Sequence, residues 1–150
     1  MPDARALLYV HMDPPLGAED EFHAWYDDHA AKRFALPGFL SARRYWNVDP
    51  YGPRHLAWYD LEDVSVLQSP EYRSLREQEK VYDREFMGRL TLNDRRVYRA
   101  LDLGEPWTNP WTDHASYLIS MTMDPLPSMV EDYHRWYLQE HIPMLFKVPG

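Results

Sequence analysis

Apolar and polar positions change period several times along the chain, and each change marks an element. Arg5 to Met12 (RALLYVHM) is apolar and rich in strand formers, and Asp13-Pro14-Pro15 ends it, which predicts a first strand. From about Ala18 to Leu36 the period lengthens. Phe22, Trp25/Tyr26, His29, Arg33 and Leu36 recur at the spacing of one helix face, and Pro37-Gly38 stops the run. Phe39 to Asn47 reads as a second strand, Asp49-Pro50-Tyr51-Gly52-Pro53 as a turn, and His55 to Leu61 as a third strand. A short helical piece at about Val64 to Leu67 precedes Ser69-Pro70, and Pro70 with Glu71 suits the start of a long helix running to about Arg89. That helix is charged outside, with Val81, Tyr82, Phe86 and Met87 as inner candidates. Arg95 to Leu101 is a fourth strand.

The order is β-α-β-β-α-β, which is the split βαβ order of a ferredoxin-like α+β domain with an antiparallel sheet, over residues 1–102. Residues 103–114 hold Pro, Gly and no clear period and read as a linker. Residues 115–150 restart the pattern, with a strand over Ser116 to Met123 and a helix from about Ser128. There Ser128 is the expected N-cap and Glu131 its capping-box partner.

The restart is written in repeated words. Met12-Asp13-Pro14 recurs 111 positions on as Met123-Asp124-Pro125. Asp28-His29 recurs 112 positions on as Glu140-His141, and Pro37-Gly38 as Pro149-Gly150. Trp25-Tyr26 recurs as Trp136-Tyr137, one step out of phase with the His. This predicts a duplicated strand–helix unit. A lone strand and helix would leave an apolar helix face uncovered, so the chain is expected to be part of a longer protein. Pro143, inside the second helix, should bend or break it near His141, whereas the first helix should run on through Ala30 and Ala31.

Composition narrows the chemistry. The 150 residues contain no Cys, so thiolate nucleophiles, disulfides and Cys–metal sites are excluded. A formal charge of −8 argues against a nucleic-acid partner. No 18-residue apolar run or leader pattern occurs, so the reading is a cytoplasmic protein without a membrane partner. Aromatics make up 15%, with 11 Tyr and 6 Trp, as in amphipathic cavities or interfaces.

The stretch WYDDHAAKRFALPGF, with Arg43-Arg44-Tyr45 and HLAWYDLE leading into LQSPEYRSL, resembles the dimeric α+β barrel superfamily, nearest its EthD-like branch. The resemblance implies a four-stranded sheet with two helices on one face, a partner sheet on the other, and a homodimer or tandem repeat. Its relatives include cyclases, isomerases, cofactor-free monooxygenases and haem enzymes, so the reaction must be argued from the site.

His29 lies on the helix stripe and is the candidate base, since an imidazole exchanges protons near neutrality. Tyr26 or Tyr59 would polarise the substrate, and His141, which repeats the motif, is a further catalytic candidate. Trp25, Arg33, Arg43, Tyr45 and His11 are the candidate substrate-binding residues. His11, Arg43, Tyr45 and Tyr59 could line one cavity, with Arg holding an anion and Tyr donating to an oxyanion. Asp28, about 100° around the helix from His29, is not placed to hold its ring. His23/His29 and His134/His141 lack metal-ligand spacing, and nucleotide and serine-hydrolase motifs are missing, so neither metal nor cofactor is expected. The reading is a small-molecule enzyme using His/Tyr acid–base chemistry: a cyclase, dehydratase or isomerase of a polyketide-like or aromatic compound. A cofactor-free monooxygenase and a non-catalytic binding or assembly module are its alternatives.

Overall fold

The computed structural model describes residues 5–101 and 117–149. The chain divides into two compact units between Leu101 and Asp102. The linker expected at 103–114 lies outside the described residues.

In the first unit, β1 (Ala6–Asp13), α1 (Glu19–Phe34), β2 (Phe39–Trp46), β3 (His55–Leu61), α2 (Pro70–Tyr82), α3 (Arg84–Arg89) and β4 (Leu92–Arg99) follow in order. The sheet order is β2-β3-β1-β4, and every pairing is antiparallel. This is a ferredoxin-like α+β fold. The alternation of β1 sends Leu8, Val10 and Met12 to the helix-covered face, where they join Ala57, Tyr59 and Leu61 of β3 in the core. Phe22, fully buried, is the centre of the α1 contribution, and burying such a ring favours folding by roughly 1.5–3 kcal/mol.

Local chemistry explains the boundaries. Glu19, Asp20 and Glu21 sit in the first turn of α1 and Lys32 and Arg33 in its last, each complementing the helix dipole. Gly38 then turns the chain with φ +84, and a Cβ there would collide with Val66. Ser69 caps α2 by accepting from Tyr72 N at 3.2 Å, with Pro70 at the first position.

The expected single helix from Pro70 to Arg89 is two, broken at Asp83. The break changes which side faces in. Val81, expected inside, is 70% exposed, while Phe86 is buried and Met87 packs against the core. The side chain of Tyr82 lies outside the described residues. The inward side of α2 instead carries Tyr72 and Glu79.

In the second unit the strand expected over Ser116 to Met123 is not present among the described residues. Tyr117 to Met123 has no ladder, and Tyr117, Ile119, Met121 and Met123 are exposed. A strand requires hydrogen-bonded neighbours as well as an alternating pattern. The helix begins as a 3₁₀ turn, Pro127–Met129, so Met129 stands at the cap of α4 (Val130–Trp136) with no side-chain cap, and the expected Ser128 capping box does not form. A π turn, Tyr137–His141, joins α4 to α5 (Ile142–Leu145). Pro143 therefore does not break the helical run. The wider turn accommodates a residue with no N–H to give. α1, in contrast, runs through Ala30 and Ala31 unbroken.

The π turn also absorbs the one-residue phase slip in the repeated phrase. Trp25 and His29, four apart, have ring centres 4.4 Å apart, and Trp136 and His141, five apart, are at 4.7 Å. Tyr26–His29 at 5.4 Å matches Tyr137–His141 at 5.2 Å. Phe22–Tyr26 at 5.3 Å matches Tyr133–Tyr137 at 5.7 Å.

Candidate functional site

The α1 stripe turns inward as its spacing requires: Phe22, Tyr26, His29 and Arg33 are all buried. A buried guanidinium needs a fixed partner, and Arg33 has one. It donates to both carboxylate oxygens of Glu79 on α2, at 2.6 and 2.8 Å, and to the His29 backbone carbonyl at 3.1 Å. Glu79 thereby comes within 3.0 Å of His29 Nδ1, with Asp83 at 3.9 Å. The 3.0 Å approach is off-line, so Nδ1 makes no aligned hydrogen bond and the contact is electrostatic. His29 is 5% exposed, with Trp25 against its ring and Phe86 against Trp25 at 4.8 Å.

Burial is the largest influence on His29 and pushes it below its ordinary value, against the upward pull of Glu79. His29 is therefore a neutral imidazole at neutral pH. Burial alone would raise Glu79, but His29 and Arg33 together outweigh it and hold its carboxyl at about 2. The result is a neutral base beside an immobilised carboxylate that is ionised at neutral pH.

A cavity of about 290 Å³ opens between α1 and α2–α3, lined by His29, Arg76, Glu79, Lys80, Asp83, Arg84 and Met87. Such a volume lies at the lower end of ligand pockets. Of the candidate residues read from the sequence, His29 alone lines it. Arg33 acts from behind through Glu79, and Trp25 is the ring on which His29 rests.

Six candidates are elsewhere. Tyr26 and Tyr59 are 2% and 1% exposed in the core. Burial raises both phenols, and neither hydroxyl makes an aligned hydrogen bond. Arg44 stacks over Tyr26 at 4.7 Å. These two tyrosines are not at the cavity and cannot polarise a molecule in it. Tyr59 also points to the helix face. His11, Arg43 and Tyr45 fall on the opposite face of the sheet by strict alternation, where Arg43 pairs in register with Trp58 and Tyr45 with Leu56. The single cavity expected from His11, Arg43, Tyr45 and Tyr59 does not form, and Arg43 cannot hold an anion beside His29. His11 is committed locally: Nδ1 donates to the His55 carbonyl at 3.0 Å and Nε2 accepts from the Tyr9 hydroxyl at 2.8 Å. His141, in the second unit, makes no ion pair among the described residues, and its Nε2 is buried without a partner.

The sequence reading missed Glu79, Asp83 and the cationic side chains around them. A signal was present. Tyr72, Arg76, Glu79, Asp83 and Phe86 recur at the spacing of one helix face. Asp13 with His55 was missed too: the carboxylate accepts from His55 Nδ1 at 3.0 Å and from the His55 and Arg54 backbone amides at 3.0 Å. That pair clamps the turn end of β1 to β3.

His29, Glu79 and Asp83 offer donor atoms within 4.8 Å of one another, a set able to hold a metal. The surrounding charge works against a dication, because Arg33 engages both Glu79 oxygens and Arg76, Lys80 and Arg84 line the same space. No helix among the described residues is long and apolar enough to cross a membrane.

No family model matches the sequence, and neither does any curated protein. Solved structures do match. A cofactor-independent oxygenase, SnoaB, from Streptomyces nogalater is 15% identical, aligning over 65% of this chain and 93% of its own, with a TM-score of 0.51. A protein from Bordetella bronchiseptica, named for antibiotic biosynthesis monooxygenases, is 12% identical over 66% of this chain and 99% of its own, with a TM-score of 0.52. An EthD-family protein from Bacillus halodurans is 15% identical over 65% of this chain and 99% of its own, at a TM-score of 0.48, too low to place this chain in that branch. At these identities the likenesses establish the shared ferredoxin-like fold, and the reaction rests on the chemistry of the cavity.

Proposed function

We propose that this protein is a cofactor-independent enzyme of small aromatic molecules in which His29 removes a proton from the substrate, and that the resulting electron-rich anion is oxygenated. The observation that carries the first half is a neutral, buried imidazole lining a cavity, packed against the Trp25 ring and 3.0 Å from Glu79. Arg76, Lys80 and Arg84 supply positive potential where the anion forms. The second half leans on the two structural neighbours named as oxygenases. The test is oxygen uptake with a panel of hydroxylated aromatics. Uptake that His29→Gln abolishes, with the fold intact by circular dichroism, is the expected result. Uptake unaffected by His29→Gln removes the base.

The same proton step serves a cyclase, dehydratase or isomerase, because the cationic rim stabilises an enolate as well as a phenolate. Turnover without oxygen consumption selects that reading. An open cavity beside His29 weighs against a purely structural module.

We infer two further points of organisation. The helical run of the second unit is a copy of α1, supported by the matched ring spacings and the π turn that restores them. A homodimer closing over the sheet face away from the helices is supported by the aromatic cluster there, in which half-buried Trp58 and exposed Tyr98 pack about buried Tyr9 with ring centres 6.0–6.3 Å from it. Sedimentation of a monomer at micromolar concentration would remove the homodimer.

A further inference from the structure

The cavity beside His29 holds more positive charge than its own carboxylates answer. Arg33 already takes both oxygens of Glu79. Arg76 reaches that carboxylate only at 3.7 Å. Lys80 is held by Glu77 at 2.6 Å. Arg84 makes no ion pair among the described residues. Two guanidinium groups thus border the cavity without a committed partner, and the thioether of Met87 forms an apolar part of its wall.

We propose that this pocket recognises an aromatic carboxylate: Arg76 and Arg84 hold the acid group and the ring lies against Met87. Guanidinium forks match a carboxylate in two parallel hydrogen bonds, which a lone ammonium does not. The charge of the ligand is limited by the same lining. Glu79 and Asp83 also face the cavity, which leaves a surplus of one positive charge among its lining side chains: a monoanion balances it, whereas a dianion such as a phosphate monoester exceeds it and bears a desolvation cost that rises with the square of its charge. The small volume limits the ligand to a compact ring system. The catalytic meaning of this recognition rests on His29 as the base, while the binding claim stands apart from it.

The test is calorimetric titration with 2-hydroxybenzoate, its neutral isostere 2-hydroxybenzamide, and phenyl phosphate. The acid is expected to bind at least about tenfold more tightly than the amide, and more tightly than the phosphate. Arg84→Gln and Arg76→Gln, both at the cavity border, are expected to weaken the acid about tenfold each and the amide less than about twofold. His29→Gln is expected to keep the preference for the acid. Loss of turnover in that variant with the preference intact therefore separates the two claims, and intact turnover with the preference intact removes the base alone. Equal binding of acid and amide, stronger binding of phenyl phosphate, no binding of the acid at millimolar concentration, or an Arg84→Gln variant with unchanged acid affinity would each overturn the proposal.

Discussion

His29 and His141 occupy the same place in the same phrase, on two helices that keep similar ring separations and differ in what surrounds them. Each His rests against a Trp at 4.4 and 4.7 Å, and each has a Tyr at 5.4 and 5.2 Å. One helix reaches this with an α turn and four residues, the other with a π turn and five. Beyond the rings the likeness ends. His29 has Glu79, Asp83 and the Arg33 guanidinium around it. Leu145 stands where the repeat would place Arg33, and it is 44% exposed. Packing within one helix is written in that helix and travels with a duplicated segment. The carboxylates that face the imidazole come from α2 and the residue that ends it, and a strand–helix copy does not bring them.

The sharpest way to break this contrast is paired substitution. His29→Ala is expected to cut turnover by about 10²–10⁴, the usual contribution of a positioned general base. His141→Ala should leave turnover within about twofold. Equal losses would mean that ring packing alone makes the chemistry. Next in size is stability. Arg33→Met strands a buried carboxylate and should cost roughly 3–5 kcal/mol in urea unfolding. Leu145→Ala, at the corresponding exposed position, should cost less than about 1 kcal/mol.

Acid should act on the first unit through Glu79 and His29 in one direction. A carboxyl held at about 2 in the folded state contributes stability that is full above its unfolded value and is lost as pH falls through the folded one. His29, held below its ordinary value, likewise binds its proton more readily when unfolded, so its effect also destabilises the fold as pH falls. Between about pH 4.5 and pH 2 the Glu79 contribution should remove roughly 2–3 kcal/mol. Glu79→Gln should flatten that slope while lowering stability at neutral pH. A slope unchanged by the substitution would place the acid-sensitive group elsewhere. The smallest expected effect is local: deleting Gln139 should turn the π turn into an α turn, which carries Trp136 and His141 to a four-residue separation, with less than about 1 kcal/mol change. Ring-current shifts of His141 that persist after the deletion support the phase-slip account. Their disappearance contradicts it.

Much of the first unit was legible because its signals are local. Strand alternation, the Asp13-Pro14-Pro15 and Pro37-Gly38 stops, and the Phe22-to-Arg33 stripe each act within a few residues, and β3 runs over the very residues its pattern marks. The site was half legible for the same reason. His29 stood on the stripe, but its partner sits 50 positions away on a helix whose charge resembles a solvated face. The clue was Arg33: an arginine on an inward stripe demands a carboxylate, and Glu79 shares a helix face with Tyr72 and Phe86. Arg43 misled because it is polar and close to the motif, although strand alternation puts it with Ser41 and Tyr45, across the sheet from the face that Ala42 and Arg44 share with α1. The expected strand at Tyr117 to Met123 failed because a ladder belongs to two segments, and no described residue pairs with this one.

The claim at the centre of this account is that the fold keeps His29 neutral and ready to accept a proton. Nitrogen-15 NMR titration of the imidazoles, with His29→Gln to assign the resonance, tests it directly. The expected result is a His29 midpoint below that of the unfolded chain, moving upward in Met87→Ala as the pocket wets. A His29 midpoint at or above the unfolded value would contradict it.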